Sequence, residues 1–388
     1  MKILQVISDL RVGGAERVAI HLCRGFLQRG HEVQLVACKE GGAQEELLPD
    51  DPNFRFKILG IHRSSIKNPL AFLRDLKKMG RALDQELIQF QPDVVQSHLP
   101  EDDLFVAQAC RRTGIGAHIP MIHSLQFHIH REGLDFRSRM RLRLHAKALK
   151  NAACVIAVSE AVKTKVLEMT KLDEAAVHVL HNGIDLTPYK NLPTQSEART
   201  SIGLGKQCKL VLGVGRLHPA KNYPLFVEAS RLVLNRLPET QFALVGEGDQ
   251  RTPIEAAITQ FGVTQNWTLL GQRKDVPVCL KAADVFVQSS DWEGFPITVV
   301  EAMAAGVPVV ATDVAGIGEL LKHNQHGYLS LPGDAEALAL GIIQALENPQ
   351  QARDMAHKAE SIAWQHYNLE AWAEAAESIA RKALGSAP

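Results

Sequence analysis

The 388-residue sequence predicts an α/β protein with two doubly wound domains, each built on a parallel sheet. Two observations lead to this fold class. Short apolar segments alternate with longer segments of helical periodicity, which is typical of βαβ units. The chain length and the 46% share of hydrophobic residues are sufficient for two cores of domain size.

The alternation of strands and helices runs twice along the chain. In the first half, the apolar segments predict strands at residues 3–8, 32–37, 54–58, 94–98, 120–124, 155–159 and 177–181. After a polar passage near Pro193, strands are predicted at residues 209–214, 242–245, 268–270, 285–288 and 309–312. We therefore expect one domain over residues 1–186 and a second over residues 187–369. The remaining residues, about 370–388, are predicted to be helical.

Bulk composition narrows the class of protein. The formal net charge is zero, but residues 1–190 hold 27 Lys and Arg against 22 Asp and Glu, and the remainder holds 16 against 21. The first half is therefore expected to meet an anionic partner. Six scattered cysteines without a C-x-x-C pair predict reduced core thiols in a cytoplasmic protein. No apolar segment is long enough to cross a membrane, and the first residues predict a strand instead of a signal peptide.

Residues 284–314 contain the most informative stretch. An apolar strand leads into a loop, Pro296 suits the first turn of a helix, and a second strand follows. Ligands of open parallel sheets bind at the carboxyl ends of the strands, where a helix N-terminus attracts an anion. Glu293 and Glu301 would repel a phosphate and more plausibly accept hydrogen bonds from hydroxyls. A ligand with phosphates in the middle and polyols at both ends is a nucleotide sugar. By themselves the two glutamates could instead be a helix cap and a solvated side chain.

Two further loops follow predicted strands and have phosphate-binding features. Gly13 and Gly14 precede a helix predicted from about residue 15 to residue 28, and a glycine pair there lets the backbone approach a phosphate. Arg216 and Lys221 follow the strand at 209–214, where two cations suit a diphosphate leaving group. The plain alternatives are a tight turn for the first loop and a solvated basic loop for the second.

Three motifs stand in register along the second half and at the boundary. They are E-G-F-P followed by E-A-M-A-x-G-x-P-V-V-A-T around Glu293 and Glu301, G-R-L-x-x-x-K-N around Arg216 and Lys221, and N-G-I-D at residues 182–185. The sequence resembles the retaining glycosyltransferases of family four over nearly its whole length. The resemblance implies the GT-B fold, in which two Rossmann-like doubly wound domains face each other across a cleft. It also implies a hinge at Gly183 and a last helix that packs back on the first domain, although packing on the second domain stays open.

The resemblance implies a role for each motif residue. Arg216 and Lys221 would bind the donor pyrophosphate, and Glu293 would contact the sugar. The other implied donor-binding residues are Glu301 on the ribose hydroxyls, Gly13 and Gly14 over the distal phosphate, Gly294, Phe295 and Pro296 beside the sugar or phosphate, and Arg273 near the base. In the leaving-group step, Arg216, Lys221 and two helix N-termini would stabilise the departing diphosphate. The acceptor would attack from the face that the diphosphate leaves, so Glu293 is not assigned as a nucleophile.

His123 is the first-domain histidine that the resemblance implies between the donor sugar and the acceptor. His98, at the end of the preceding predicted strand, is a second candidate. His128 and His130 lie nearby, but no further ligands are spaced with them and the chain has no D-x-D motif. We therefore expect neither a metal ion nor a cofactor. The implied catalytic set is His123, Glu293, Arg216 and Lys221.

A basic segment spans residues 137–150. Its cations are Arg137, Arg139, Arg141, Arg143, Lys147 and Lys150, and apolar residues lie among them. One interpretation is a solvated helix. The other is a surface that docks anionic lipid headgroups or a pyrophosphate-linked acceptor. Nucleic acid is not expected as a partner, because the basic surplus is small and no recognition motif is present.

Together these observations predict a metal-independent, retaining glycosyltransferase. It would move a hexose or N-acetylhexosamine from a nucleotide diphosphate sugar, with a UDP-sugar favoured, to a glycan or lipid-linked acceptor in envelope polysaccharide biosynthesis. The expected location is the cytoplasm, at the inner face of the plasma membrane if the basic segment docks there. Two alternatives stay open: a nucleotide-sugar epimerase or hydrolase of the same fold, and a catalytically silent nucleotide-sugar-binding subunit.

Overall fold

A computed structural model describes residues 1–11, 13–62, 69–124, 136–205 and 208–385, without the side chains of residues 69, 73, 136 and 137. The chain divides into two compact units. The first consists of Met1–Ile184 together with Leu369–Pro388, and the second of Asp185–Asn368. Each unit contains one parallel sheet with helices packed on it, so the predicted fold class is confirmed.

The first unit has a seven-stranded parallel sheet over the described residues, in the order β3-β2-β1-β4-β5-β6-β7. Its strands are β1 (Lys2–Asp9), β2 (Glu32–Glu40), β3 (Phe54–Ile58), β4 (Val94–Ser97), β5 (Ala117–Ile122), β6 (Val155–Ala157) and β7 (Val177–Val179). Its helices are α1 (Gly14–Gln28), α2 (Pro69–Phe90), α3 (Pro100–Thr113), α4 (Phe136–Lys150), α5 (Glu160–Thr170) and α14 (Leu369–Gly385). The order reverses between β1 and β4, which is the switch point where doubly wound sheets bind ligands.

The central strand β1 shows why these segments form a buried sheet. Leu4 and Val6 lie in the core that packs against α2, and successive residues of a strand point to opposite faces. Ile3 and Ile7, on the other face, are also 0% exposed. A strand that is covered on both faces reads as a continuous apolar segment, which is the pattern of a parallel sheet in an α/β protein.

The second unit has a six-stranded parallel sheet over its described residues, in the order β10-β9-β8-β11-β12-β13. Its strands are β8 (Lys209–Val214), β9 (Thr240–Val245), β10 (Trp267–Gly271), β11 (Val285–Gln288), β12 (Val309–Thr312) and β13 (Tyr328–Ser330). Its helices are α6 (Gln195–Ser201), α7 (Tyr223–Arg236), α8 (Arg251–Gln260), α9 (Val276–Ala282), α10 (Ile297–Ala304), α11 (Ala315–Leu320), α12 (Ala335–Glu347) and α13 (Pro349–His366). The sequence analysis missed β13, whose sequence Tyr-Leu-Ser lacks the β-branched residues that mark the equally short strands β6 and β7.

The C-terminal helix α14 belongs to the first unit and packs against α1. Gly25 makes the close approach, because a Cβ at that position would lie 2.6 Å from the Cβ of Ala373. At the edge of this contact Glu377 accepts hydrogen bonds from Arg29 and Arg381. Burial raises the pKa of Glu377, but the hydrogen bonds from the two guanidinium groups outweigh burial and lower that pKa to about 2.

Gly183 is constrained by packing in the structure, and its expected role as a hinge stays a prediction. Its φ is not among the positive values of the described residues. A Cβ on Gly183 would instead lie 2.4 Å from the Cβ of Trp372 on α14. The position needs glycine because of the space that Trp372 occupies.

The six cysteines are free thiols, and Cys23, Cys38, Cys154 and Cys279 are buried. Their predicted role as reduced core thiols is consistent with these positions. In the part of the chain that the structure covers, no helix combines the length and apolar composition that a bilayer crossing requires.

Candidate active site

Two loops of the second unit meet where β8 and β11 end, and backbone and side-chain hydrogen bonds join them. The Asp291 N–H donates to the Ala220 carbonyl over 2.9 Å, and the Ser289 hydroxyl donates to the Lys221 carbonyl over 2.9 Å. The Asn222 amide donates to an Asp291 carboxylate oxygen over 2.8 Å. Since β8 and β11 are adjacent in the sheet, their loops are held together at one carboxyl edge.

This arrangement brings Lys221 and Glu293 into an ion pair. The Nζ of Lys221 lies 2.7 Å from Oε1 of Glu293, and the side chains are 17% and 12% exposed. The same Oε1 accepts hydrogen bonds from Ser290 (2.6 Å) and Gln288 (2.8 Å). Within the described residues Oε2 of Glu293 accepts none, so it is the oxygen left for a ligand hydroxyl. Lys221 has three N–H donors and uses one here, which leaves two for an anion.

Gln288 and Ser290 hold Glu293 in place, and the sequence analysis did not assign them this role. Gln288 is 1% exposed and Ser290 is 0% exposed. The side-chain oxygen Oε1 of Gln288 in turn accepts from the Thr298 hydroxyl on α10 over 3.2 Å. The available signal was the run of polar residues at the end of an apolar strand, because buried polar side chains need hydrogen-bond partners.

Arg216 follows β8 on a loop whose path depends on close backbone contact. Gly246 has a φ of 141°, in the region that favours glycine, and a Cβ there would lie 1.9 Å from the Gly215 carbonyl oxygen. The Leu217 N–H donates to the Glu247 carbonyl over 2.9 Å. The Arg216 side chain is exposed and makes no ion pair with any residue that the structure describes. Its guanidinium is therefore available to an anionic ligand.

The loop Gly294, Phe295 and Pro296 leads into α10. Pro296 is the N-cap of the helix, one residue earlier than the first-turn position that the sequence analysis expected. Phe295 is 5% exposed, and its ring centroid lies 5.5 Å from that of Tyr367. Gly316 on α11 packs directly on this loop, because a Cβ at Gly316 would lie 2.2 Å from the Gly294 carbonyl oxygen. The sequence analysis missed this use of Gly316.

Glu301 lies in the second turn of α10 and is 0% exposed. The alternative of a solvated helix side chain is therefore wrong. Acidic side chains are almost never fully buried without a specific reason, because burial of the charged form is costly. Its position agrees with a specialised role, although the ribose contact itself stays a prediction.

Arg273, which is expected near the base of the donor, pairs with Asp275 in the structure. Its Nε lies 2.9 Å and its second nitrogen 2.7 Å from the two carboxylate oxygens of Asp275. The hydrogen bonds that Arg273 donates to Asp275 raise the pKa of Arg273 and lower the pKa of Asp275. The expected role of Arg273 in base contacts stays a prediction.

In the first unit, Gly13 is the N-cap of α1 and Gly14 is its first residue. Gly13 is extended, with a φ of −165°, and a Cβ there would meet only the flexible end of Glu16. A Cβ on Gly14 would meet nothing within 4 Å. A side chain at Gly14 would therefore be tolerated, whereas one at Gly13 would require the Glu16 carboxylate beside the helix N-terminus to move. The buried side chain of Gln44, which the sequence analysis did not consider, donates to the carbonyls of Arg11 (2.9 Å) and Gly13 (3.0 Å).

His123 and His98 lie one residue beyond β5 and β4, not in the strands as predicted. His98 Nδ1 is 3.0 Å from His123 Nε2, so the two candidate histidines are in direct contact. Burial lowers the pKa of His123 to about 4 and that of His98 well below its usual value. Both imidazoles are therefore neutral near pH 7. His128 and His130 lie outside the described residues. In the rest of the chain, no group of three His, Cys, Asp or Glu side chains could hold a metal ion.

The basic segment forms α4, and the Arg137 side chain lies outside the described part. The exposed cations are Arg139, Arg141, Arg143, Lys147 and Lys150. Met140 and Leu144, one helical turn apart, are 40% and 47% exposed. On the inner face, buried His145 lies 2.7 Å from Asp103 on α3. The helix therefore has an anchored face and an exposed face that combines cations with two apolar side chains.

Two family models match the chain. One, described as Glycosyltransferase Family 4, matches residues 12–188, and the other, Glycosyl transferases group 1, matches residues 194–362. The chain belongs to the family-four glycosyltransferases. Family membership and the two parallel sheets confirm the resemblance and the GT-B fold class, and the protein is a glycosyltransferase.

Relatives of this glycosyltransferase include enzymes with stated reactions. Over 357 residues it is 25% identical to UDP-Gal:alpha-D-GlcNAc-diphosphoundecaprenol alpha-1,3-galactosyltransferase of Escherichia coli, covering 90% of this chain and 88% of the relative. It is 24% identical to N-acetyl-alpha-D-glucosaminyl L-malate synthase of Bacillus anthracis, covering 92% and 91%. Among solved structures, HepE of Anabaena in complex with UDP-glucose superposes with a TM-score of 0.82 at 24% identity, covering 98% and 100%. That likeness shows the shared fold.

Proposed function

We propose that this glycosyltransferase moves a hexose or N-acetylhexosamine from a UDP-sugar to a glycan or lipid-linked acceptor in envelope polysaccharide biosynthesis, with retention and without a metal ion. One observation carries the proposal. Exposed Arg216 and the Lys221–Glu293 pair lie on adjacent loops at the carboxyl ends of β8 and β11. Cations for a diphosphate thus stand beside a carboxylate whose second oxygen can accept a sugar hydroxyl.

The donor is proposed to bind these loops through its charged middle. Arg216 and the two remaining N–H groups of Lys221 bind the diphosphate, and Oε2 of Glu293 accepts from the sugar. The other proposed donor contacts are Glu301 on the ribose, Gly294, Phe295 and Pro296 through the backbone, Gly13 and Gly14 at the distal phosphate, and Arg273 near the base. The galactosyltransferase relative is named for a UDP-Gal donor and HepE was solved with UDP-glucose, which supports a uridine nucleotide.

In the chemical step, the anomeric carbon gains positive charge as the diphosphate leaves. Arg216 and Lys221 stabilise the negative charge that develops on the leaving oxygen. The acceptor hydroxyl attacks from the same face and gives its proton to the departing phosphate, so configuration is retained. His123 contacts the sugar from the first unit. We assign acceptor binding to residues 1–186 with the helix near 370–388, and donor binding to residues 187–369.

Turnover with defined substrates tests this proposal. UDP release from UDP-glucose, UDP-galactose, UDP-N-acetylglucosamine and GDP- or ADP-sugars should depend on a sugar or lipid diphosphate acceptor, and should continue in the presence of EDTA. Donor conversion without an acceptor would favour the epimerase or hydrolase. Donor binding without any turnover would favour the silent subunit.

The acceptor side is proposed to meet the inner face of the plasma membrane through α4. Its exposed cations each contribute roughly 1 kcal/mol near an anionic surface, and Met140 and Leu144 can enter the interface. The relative's name specifies a diphosphoundecaprenol-linked acceptor, which agrees with a membrane-bound substrate. Co-sedimentation with anionic and neutral vesicles should show salt-sensitive binding to the anionic ones only. Changing Arg139, Arg141 and Arg143 together to Ser should abolish it, and equal binding to both vesicle types would contradict the proposal.

A further inference from the structure

Behind His123, a chain of neutral polar side chains runs into the centre of the first sheet. His98 Nε2 lies 2.6 Å from the side-chain oxygen of Gln5, and the Gln5 amide nitrogen lies 2.6 Å from the side-chain oxygen of Gln96. Gln5 and Gln96 are 0% exposed and His98 is 1% exposed. Gln5 and Gln96 are also paired across β1 and β4. Polar side chains in the middle of two buried strands cost stability unless they have a function or full hydrogen bonding.

In the amide orientation that the structure shows, in which Gln96 Nε2 has no hydrogen-bond partner among the described residues, the hydrogen bonds determine where the protons lie. The side-chain oxygen of Gln5 can only accept, so His98 donates from Nε2. Because His98 is neutral, its Nδ1 is bare and must accept the hydrogen bond from His123. His123 therefore carries its proton on Nε2 and presents a bare Nδ1, which makes no hydrogen bond to any described residue.

We propose that Gln5, Gln96 and His98 are positioning residues that hold His123 in the Nε2–H tautomer, so that its Nδ1 accepts a hydrogen bond from a hydroxyl of the transferred sugar or the acceptor. This inference rests on the proposed contact of His123 with the substrate. A single tautomer matters because the opposite one would present a donor where the sugar hydroxyl also donates. None of the three positioning residues needs to touch the substrate.

The surroundings of this relay keep His98 and His123 neutral. Ser97, between Gln96 and His98, donates to Asp103 over 2.6 Å and lies 2.7 Å from the His118 ring. Asp103 is the charged group that acts on His123, and it favours the protonated ring, but burial outweighs it. If both glutamine amides were turned over, the relay would run in the opposite sense and His123 would carry its proton on Nδ1. The two glutamines and two histidines therefore change tautomer and amide orientation as one unit.

Nuclear magnetic resonance can read the tautomer directly. Two-bond proton–nitrogen spectra of protein with 15N-labelled histidine should show a protonated Nε2 and a bare Nδ1 for His123, with its signals assigned by their loss in His123→Phe. In Gln5→Leu, the two nitrogens should become averaged between tautomers. Gln34→Leu is the matched control, because Gln34 is a buried glutamine on the neighbouring strand that donates to Glu86 on α2. An Nδ1–H pattern in the wild type, or an unchanged pattern in Gln5→Leu, would overturn the proposal.

Kinetics give a second readout that a merely structural role would not move. Gln5→Leu should lower kcat/KM about tenfold, because averaging of the His123 tautomers weakens its hydrogen bond to the substrate hydroxyl. Gln5→Glu keeps an acceptor for His98 but adds a negative charge, which raises the pKa of His98. Protonated His98 donates from both nitrogens and forces the wrong tautomer on His123. The acid limb of the kcat profile in Gln5→Glu should therefore move to higher pH, and an unmoved limb would contradict the relay.

The proposed substrate contact of His123 and the proposed relay behind it can be tested separately. If His123→Phe retains full activity, the proposed substrate contact is wrong whatever the tautomer. If His123→Phe is inactive while Gln5→Leu and Gln5→Glu behave like Gln34→Leu in both spectra and kinetics, His123 contacts substrate but the relay does not position it.

Discussion

The polar groups of the two units are held in opposite ways. In the second unit, Lys221 and Glu293 are charged, partly exposed and fixed by an ion pair on adjacent loops. In the first unit, His123 and His98 are neutral, with His123 hydrogen-bonded to His98 and His98 to the buried side-chain amide of Gln5. The difference matches two tasks. Charge that develops on a leaving group needs fixed cations, whereas a hydroxyl that must be oriented needs a neutral acceptor in one tautomer.

The largest expected effect comes from the charged cluster. Lys221→Ala removes a proposed diphosphate contact and leaves the Glu293 charge without its cation. The resulting loss in kcat/KM should correspond to about 2 to 5 kcal/mol of transition-state stabilisation. Arg216→Ala should lose kcat/KM in the same range. Lys221→Arg should restore only part of the activity that Lys221→Ala loses, because a planar guanidinium fork cannot replace a point charge. Arg236→Ala, which breaks an exposed ion pair with Glu347, is the control and should be near normal. Near-normal kinetics in both Lys221→Ala and Arg216→Ala would show that the charged cluster does not have the proposed task.

The next effect concerns the backbone that supports the charged cluster. In Gly316→Ala the new Cβ would lie 2.2 Å from the Gly294 carbonyl oxygen, so the loop must move and kcat should fall about tenfold or more. Gly318→Ala, in the same helix, is the matched control, because its Cβ would meet the flexible Asp313 side chain at 2.7 Å. Steady-state kinetics should separate the two variants. Equal activity in both would show that the Gly294 loop does not set the donor geometry.

The two glutamates should separate binding from chemistry. Glu301→Gln should raise the donor KM about tenfold and change kcat little, because a ribose contact is present in the ground and transition states alike. Glu293→Gln, beside the reacting sugar, should mainly lower kcat. Initial rates over a range of donor concentrations distinguish the two patterns, and the reverse pattern would mean that the two roles have been exchanged.

The smallest expected effect lies outside both clusters, at Glu377 on α14. The folded pKa of about 2 lies below the ordinary value of 4.5, so this carboxylate stabilises the fold above about pH 4.5 and loses that contribution as pH falls toward 2. Glu377→Gln should cost about 1 kcal/mol at pH 7, a value reduced by the exposure of Arg29 and Arg381. Urea unfolding should show a smaller difference at pH 3.5 than at pH 7. If the stability difference between Glu377→Gln and the wild type were the same at both pH values, the loss would be due to packing. The kcat of Glu377→Gln should equal that of the wild type.

The sequence was sufficient for the fold class and for the charged residues because both depend on local pattern. Strands that are buried on both faces read as apolar runs, and Arg216, Lys221 and Glu293 follow such runs directly. The ion pair between Lys221 and Glu293 was not predicted, since it joins residues 72 positions apart and depends on β8 and β11 being neighbours. Strand order is a tertiary property that the periodicity of single segments does not contain.

The neutral relay was harder to find for a different reason. Gln5 and Gln96 stand inside apolar strands, where a single polar residue barely changes the pattern, and they meet only because β1 and β4 pair in register. Gly183 shows the same limit, because its glycine is required by the distant Trp372 and not by its own backbone. When the partners of a side chain lie far along the chain, its role can be identified only once the packing is known.

The central claim is that the loops after β8 and β11 bind the donor diphosphate. Calorimetric titration of the wild type, Lys221→Ala, Arg216→Ala and the Arg236→Ala control with UDP and with UMP tests it most directly. The wild type and the control should bind UDP more tightly than UMP. Each site variant should lose most of this preference and bind UMP nearly as before. UDP affinity that is unchanged in both site variants would contradict the account.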